Sequence, residues 1–254
     1  MTHGSFFWYD MVSKNPEATR TFMPRVFGWD ASHAVMPDGT PYISFSSAGK
    51  LVCGLMPLSE RRDFDSGRAH WMTYLEVDGL ATAQSRVENS GGESLGNQQT
   101  VPDLGAYQVI RDPDGALVAL VEARRKVLQQ GNNWNSVVWN ELICRDADRI
   151  GDFYHSIANW TISSDASNNF EYGFFTQNRV NMAGLLEMKG HDFGDIKSSW
   201  QVYIAVEDID AAVNKVTLNG GQISAEPFDM PGIGRIAIVI EPGECQFSLL
   251  QPPS

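Results

Sequence analysis

The sequence predicts an α+β protein built from four repeated units, each a strand, a helix and further strands. Three observations carry that expectation. The tryptophans recur at one offset, strand-like alternation gives way to helical runs in the same order again and again, and glycine-rich punctuation falls at matching places.

The repeat comes first because it organises the rest. Trp8 matches Trp139, Trp29 matches Trp160 and Trp71 matches Trp200, at offsets of 131, 131 and 129 residues. The surrounding text agrees: WMTYLEVDGLATAQSRVENSGGESL aligns with WQVYIAVEDIDAAVNKVTLNGGQIS, and VPDLGAYQVIRDPDGALVAL with MPGIGRIAIVIEPGECQFSL. A period this long marks domain duplication, since solenoid repeats are several-fold shorter. The expected organisation is an N-terminal domain over residues 1–124, a polar linker over 125–133 and a C-terminal domain over 134–254.

Within a half, residues 5–13 alternate as a strand does. Asn15 then serves as N-cap with Pro16 at the first helical position, and the helix runs to about Phe27 and stops at Gly28. Two or three strands follow, among them 42–47 and 51–56. The pattern recurs with a strand over 70–77, a helix over 80–89 closed by Gly91-Gly92, and strands over 106–111 and 117–122. The turn Asp112-Pro113-Asp114-Gly115 separates those last two.

Composition bounds the partners. The chain has 254 residues, 43% of them apolar, and a formal charge of -12. That charge repels phosphate backbones and anionic lipid, so neither nucleic acid nor a membrane is an expected partner. No stretch approaches the ~20 apolar residues of a membrane helix, and the first residues do not read as a signal peptide. Cys53, Cys144 and Cys245 are too far apart for a CxxC metal pattern and odd in number, which predicts buried, reduced thiols in a cytoplasmic protein.

These residues carry a resemblance. The helices in NPEATRTFMPRVFGW and ADRIGDFYHSIANW, the strand ending in V-[DE]-D/G, the helix closing in Gly-Gly and the DPDG-type turn resemble the vicinal oxygen chelate superfamily. That group holds glyoxalases, bleomycin-resistance proteins and extradiol dioxygenases, and the two-domain glyoxalase-like subgroup is the nearest pattern. The resemblance implies four βαβββ modules in two tandem domains, with cupped mixed sheets, outer helices, and ligand inside the cup. It also implies a divalent metal held by His, Glu or Gln. The matching positions here are Trp8 and Trp139, Met72 and Gln201, Ala119 and Ser248, and those near Gly54 and Gly184. Only Gln201 among them suits a hard divalent ion, so no metal and no cofactor are expected. No GxGxxG, P-loop, GxSxG or HExxH motif occurs, and no two of the five histidines have ligand spacing.

The face that would hold metal carries another set. Trp8, Asp10, Met72 and Tyr74 line it in the N-terminal half, and Trp139, Glu141, Gln201 and Tyr203 in the C-terminal half, with Ser248 added there. Indole and phenol rings suit a flat, partly apolar organic ligand. Glu141 is the expected general acid or base and Tyr203 the donor to a carbonyl or developing oxyanion, with Trp139, Gln201, Ser248, Trp8, Asp10, Met72 and Tyr74 binding the ligand. Duplicated core packing would leave the same repeat. Residues 60–68 and 191–197 read as charged loops near the cup mouths, and Arg61, Arg62 and Arg68 offer cations to an anionic group.

The expected function is therefore a metal-independent enzyme that acts on a small organic metabolite by acid–base chemistry, as a lyase, isomerase or hydratase. Sequestration of a small molecule, as in bleomycin resistance, is the first alternative, and a metal-dependent lyase or dioxygenase with displaced ligands the second. Either a monomer or a homodimer fits the duplication.

Overall fold

The computed structural model describes residues 3–36, 39–60, 67–102, 104–125, 127, 134–164, 172–188 and 196–253. The first half runs β1 (Phe6–Ser13), α1 (Pro16–Phe27), β2 (Asp30–Val35), β3 (Pro41–Ser47) and β4 (Lys50–Pro57). It continues with β5 (His70–Glu76), α2 (Leu80–Asn89), β6 (Glu93–Val101), β7 (Gly105–Arg111) and β8 (Leu117–Ala123). The second half repeats this order: β9 (Val137–Cys144), α3 (Ala147–Ala158), β10 (Thr161–Ser164), β11 (Tyr172–Gln177), β12 (Val180–Glu187). Then come β13 (Ser199–Ala205), α4 (Ile209–Leu218), β14 (Gln222–Met230), β15 (Gly234–Ile240) and β16 (Gln246–Gln251). Four βαβββ modules result.

The strands form two eight-stranded mixed sheets. One contains the runs β2-β3-β4-β1 and β5-β8-β7-β6, the other β10-β11-β12-β9 and β13-β16-β15-β14. In every module the first strand lies parallel to the last, as β1 to β4 and β13 to β16, while the other neighbours are antiparallel. A parallel pair needs a crossover, which begins with the module's helix.

Helix ends follow from local chemistry. The Asn15 side chain accepts from the Ala18 N–H, and Gly28 closes α1 at φ 69°; Asp146 and Asn159 do the same for α3, with Asn159 at φ 56°. Each Gly-Gly divides its labour. Gly91 and Gly220 take left-handed backbone at φ +83° and +86°, while Gly92 and Gly221 leave room for close packing. A Cβ on Gly92 would stand 2.7 Å from the Phe153 ring, and one on Gly221 3.0 Å from the Phe22 ring.

Contacts group the modules into two compact units, each drawing on both halves. The first unit comprises Met1–Trp8, Met72–Val127 and Asn140–Trp200; the second comprises Tyr9–Trp71, Leu128–Trp139 and Gln201–Ser254. In the first, α2 packs on α3, and Tyr154, Trp160, Phe175 and Trp200 form an aromatic core. In the second, α1 packs on α4, and Phe27 stacks on Trp29 at 5.1 Å. Trp29 and Trp160 are almost fully buried.

Each unit also buries one carboxylate at a tight turn. Asp112 Oδ1 accepts from the N–H groups of Asp114 and Ala116, and Glu241 accepts from those of Gly243 and Cys245. A hydroxyl from the partner helix completes each set: Tyr154 of α3 donates to Asp112 and Thr19 of α1 to Glu241. Burial pushes the Asp112 carboxyl up to about 6 against these stabilising hydrogen bonds. All three cysteines are free and buried.

Candidate functional site

Register places the carboxylates first. Asp10 on β1 stands opposite Gly54 on β4, and Glu141 on β9 stands opposite Gly184 on β12. Both carboxylates are buried, at 3% and 6% exposure. The next strand out also repeats, with Ser44 of β3 opposite Gly54 and Phe174 of β11 opposite Gly184.

Two residues before Ser44 on the same strand face lies Tyr42. Its ring crosses Gly54, and its hydroxyl donates to Asp10 Oδ1 at 2.7 Å. A Cβ on Gly54 would overlap both Tyr42 Oη and Asp10 Oδ1, so the absent side chain is what lets the phenol reach the carboxylate. Tyr172 lies two residues before Phe174, at the place of Tyr42, and its ring meets that of Phe174 edge-on at 5.3 Å. Neither tyrosine is among the residues expected from the sequence. Their offset of 130 residues, within the range set by the tryptophans, was the available signal.

The remaining candidates distribute between the units. In the first unit, Trp8 is half-buried, Met72 is fully buried, and Tyr74 is registered with Ala119 and packs edge-on against Tyr107 at 5.4 Å. In the second, Trp139 and Gln201 are half-buried, and buried Tyr203 is registered with Ser248. Glu141 belongs to the first unit and Tyr203 to the second, whereas Glu141, Gly184 and Tyr172 share one unit, as do Asp10, Gly54 and Tyr42. Residues 61–66 and 189–195, with Arg61, Arg62 and His191, lie outside the described residues. His70 is half-buried at the start of β5, its Nδ1 2.9 Å from the Arg68 carbonyl oxygen. His155 is exposed on α3, with Nδ1 2.8 Å from the Trp160 carbonyl oxygen.

The model of the Glyoxalase/Bleomycin resistance protein/Dioxygenase superfamily matches residues 5–120 and again 136–249. The chain belongs to this superfamily.

Superfamily relatives span nearly its whole length. It is 30% identical to "Putative glyoxylase CFP32" of Mycobacterium tuberculosis over 250 residues, covering 96% of this chain and 94% of that one. It is 29% identical to "Anthracycline biosynthesis protein DnrV" of Streptomyces peucetius over 258 residues, covering 96% and 92%. Solved superfamily folds agree. A Mn(II)-bound glyoxalase from Novosphingobium aromaticivorans matches with a TM-score of 0.66 at 16% identity, over 99% of this chain and 84% of that one. The 2,3-dioxygenase LapB from Pseudomonas sp. KL28 matches with a TM-score of 0.66 at 13% identity, over 100% and 94%.

A superfamily metal finds a poor donor set here. Among the described residues no group of three or more His, Cys, Asp or Glu side chains is placed so that it could hold a metal ion. The positions that resemble superfamily ligands carry two indoles, a thioether, a methyl, a hydroxyl, two glycines and one amide. These side chains do not fit a resident divalent ion.

Proposed function

We propose that this superfamily member is a metal-independent cytoplasmic enzyme that acts on a small, partly apolar organic metabolite by acid–base chemistry. Glu141 is the proton-transfer group in the first unit, and Tyr203, in the second unit with Asp10, supplies a hydrogen bond to a carbonyl or developing oxyanion there. Trp8, Met72 and Tyr74 share the unit of Glu141 and position the ligand there, and Asp10, Trp139, Gln201 and Ser248 do so in the unit of Tyr203. The observation that carries this reading is the repeated placement of a buried carboxylate beside a glycine on the first strand of each half. A carboxylate there is largely withdrawn from water. The anthracycline relative makes planar carbonyl compounds a reasonable first substrate panel.

The test compares wild-type protein with Glu141→Gln on a panel of planar ketones and quinones that includes anthracyclines. The variant is expected to lose turnover by about a hundredfold or more while keeping its affinity. Tight binding without turnover in the wild type would sink the enzyme reading and leave sequestration. One tightly held metal per chain, whose removal abolishes turnover, would overturn metal independence.

A further inference from the structure

We infer that one sheet face of β13–β16, in the second unit, is a wall for the uncharged, apolar body of the ligand, and that Phe228, Ile238, Ile240 and Leu250 set the preference for it. The inference rests on the reading above, that a ligand is held in the unit of Tyr203. It adds the residues that choose the ligand and the charge that ligand must lack.

Registers put these side chains on one face. Phe228, Ile236, Leu250 and Ala205 form a row across β14, β15, β16 and β13, and Ala225, Ile238, Ser248 and Tyr203 form the next. Ile240 stands a row further on, between Gln222 and Gln246. The opposite face is finished. Ala237, Val239, Phe247 and Leu249 are fully buried there, and the Phe247 ring lies 5.9 Å from that of Phe27 on α1. The face with Ile238 is unfinished: Ile238, Ile240 and Leu250 are half-buried and Phe228 is 40% exposed. Neighbouring apolar side chains left open to water in this way mark a binding surface.

The matching face of the first unit, on β5–β8, shows that the fold does not require such a wall. Tyr107, Val109 and Val121 stand where Ile236, Ile238 and Leu250 do, and all three are buried. Glu76, Glu93 and Arg111 stand where Ala205, Gln222 and Ile240 do, with Arg111 paired to Glu93 at 2.5 Å. The second copy of the module thus replaces three charged side chains with uncharged ones. None of the residues registered in its rows carries a charge, so an ion laid on this wall would lose water and gain no partner from it.

Size favours a small molecule over a second copy of the chain. Four side chains, three of them half-buried, expose on the order of a few hundred Å². A stable interface needs ~800 Å² per partner. A charge of -12 on each copy also opposes self-association.

The probe is 6-propionyl-2-(dimethylamino)naphthalene, a neutral planar ketone whose emission shifts to the blue in apolar surroundings. Titration of the whole chain is expected to give a saturable blue shift. 2-Acetylnaphthalene, also neutral, should displace the probe, and 2-naphthoate and 2-naphthylmethylammonium should do so at least about tenfold less well. Phe228→Ala should weaken the probe about tenfold, and Phe228→Leu should recover most of the loss. Gln222→Glu with Ile240→Arg copies the ion pair of the first unit onto the wall and should weaken it at least as much. Leu218→Ala, at an 84% exposed position on α4, should change nothing. Thermal melts check that each variant is folded. No saturable shift, unchanged affinity in both wall variants, or ions that compete as well as the ketone would overturn the inference. So would a dimer of the free chain that Phe228→Ala dissociates, which would give the wall to a second copy. The readout is binding alone. If the wall variants leave the probe unmoved while Glu141→Gln loses turnover, the wall fails and the proposed function stands. If they weaken the probe while Glu141→Gln keeps turnover, the acid–base assignment fails and the wall stands.

Discussion

Trp200 donates its indole N–H to the hydroxyl of Tyr154 across 2.9 Å, inside the core of the first unit. That hydroxyl lies 3.2 Å from Asp112 Oδ2, so a buried indole, phenol and carboxyl form one chain of hydrogen bonds. Its consequences are for stability.

The first consequence is a pH dependence with a definite sign. Burial raises the Asp112 carboxyl from 3.8 to about 6. Between those values the folded protein binds a proton that the unfolded chain has released. The contribution of Asp112 is thus fully present below about 4 and is lost as pH rises through about 6. Two units correspond to roughly 3 kcal/mol. Asp112→Asn keeps a carbonyl for the Asp114 and Ala116 N–H groups and removes the titration. Thermal melts from pH 4 to pH 8 should show the wild type losing ground to the variant as pH rises, and a constant gap would contradict the assignment.

Tyr154→Phe breaks the same chain in the middle. It leaves the buried Trp200 N–H without its acceptor and Asp112 without one donor. The expected cost is about 1–3 kcal/mol by denaturant unfolding. The hydroxyl also lowers the Asp112 value, so its loss should move the pH dependence above 6. A variant with unchanged stability and pH profile would show that the phenol only fills space.

The cysteines should be inert in the folded protein. Burial pushes Cys144 up to about 12 and raises Cys53 and Cys245 well above the usual thiol range. A chromogenic disulfide reagent at pH 8 should label none of the three rapidly, and all three after denaturation. Fast labelling of one native thiol would place that cysteine nearer the surface than the fold has it.

Gly92→Ala should be more costly than Gly221→Ala. The added Cβ at position 92 meets the Arg111 carbonyl oxygen at 2.9 Å, and backbone cannot swing aside as a side chain can. At position 221 the corresponding carbonyl oxygen, of Ile240, is 3.1 Å away. We expect about 1–3 kcal/mol for the first and less for the second. Urea midpoints that reverse this order would refute the packing argument.

Much of the fold is legible in the sequence, for reasons visible at particular residues. Asn15, Pro16 and Gly28 are local signals whose chemistry acts within a few residues, and α1 begins and ends where they direct. The strands β2 and β6 are harder to read. β2 is largely exposed, and β6 runs through Asn97, Gln98 and Gln99 with Gly96 at φ +65°, so neither carries an apolar period. The first-strand carboxylates were legible because Trp8-x-Asp10 and Trp139-x-Glu141 repeat. Tyr42 was not, because a phenol that reaches over the glycine of the neighbouring strand to a carboxylate two strands away leaves no trace in local spacing, and Tyr172 repeats it only at the long offset. The grouping of modules was equally hidden: it depends on Phe22 meeting Gly221 and Phe153 meeting Gly92 across long separations in sequence.

That grouping sets an order of events on the ribosome. The first unit has all its parts once Trp200 has emerged, whereas the second pairs Tyr9–Trp71 with Gln201–Ser254. The module made first must therefore wait, its apolar face unfinished, while most of the remaining chain is synthesised. At roughly 5–20 residues per second this delay lasts about ten seconds or more. Residues 9–71 are where a nascent-chain chaperone would be needed most, and synonymous codon changes that slow synthesis between residues 72 and 200 would lengthen the exposure without altering a single amino acid.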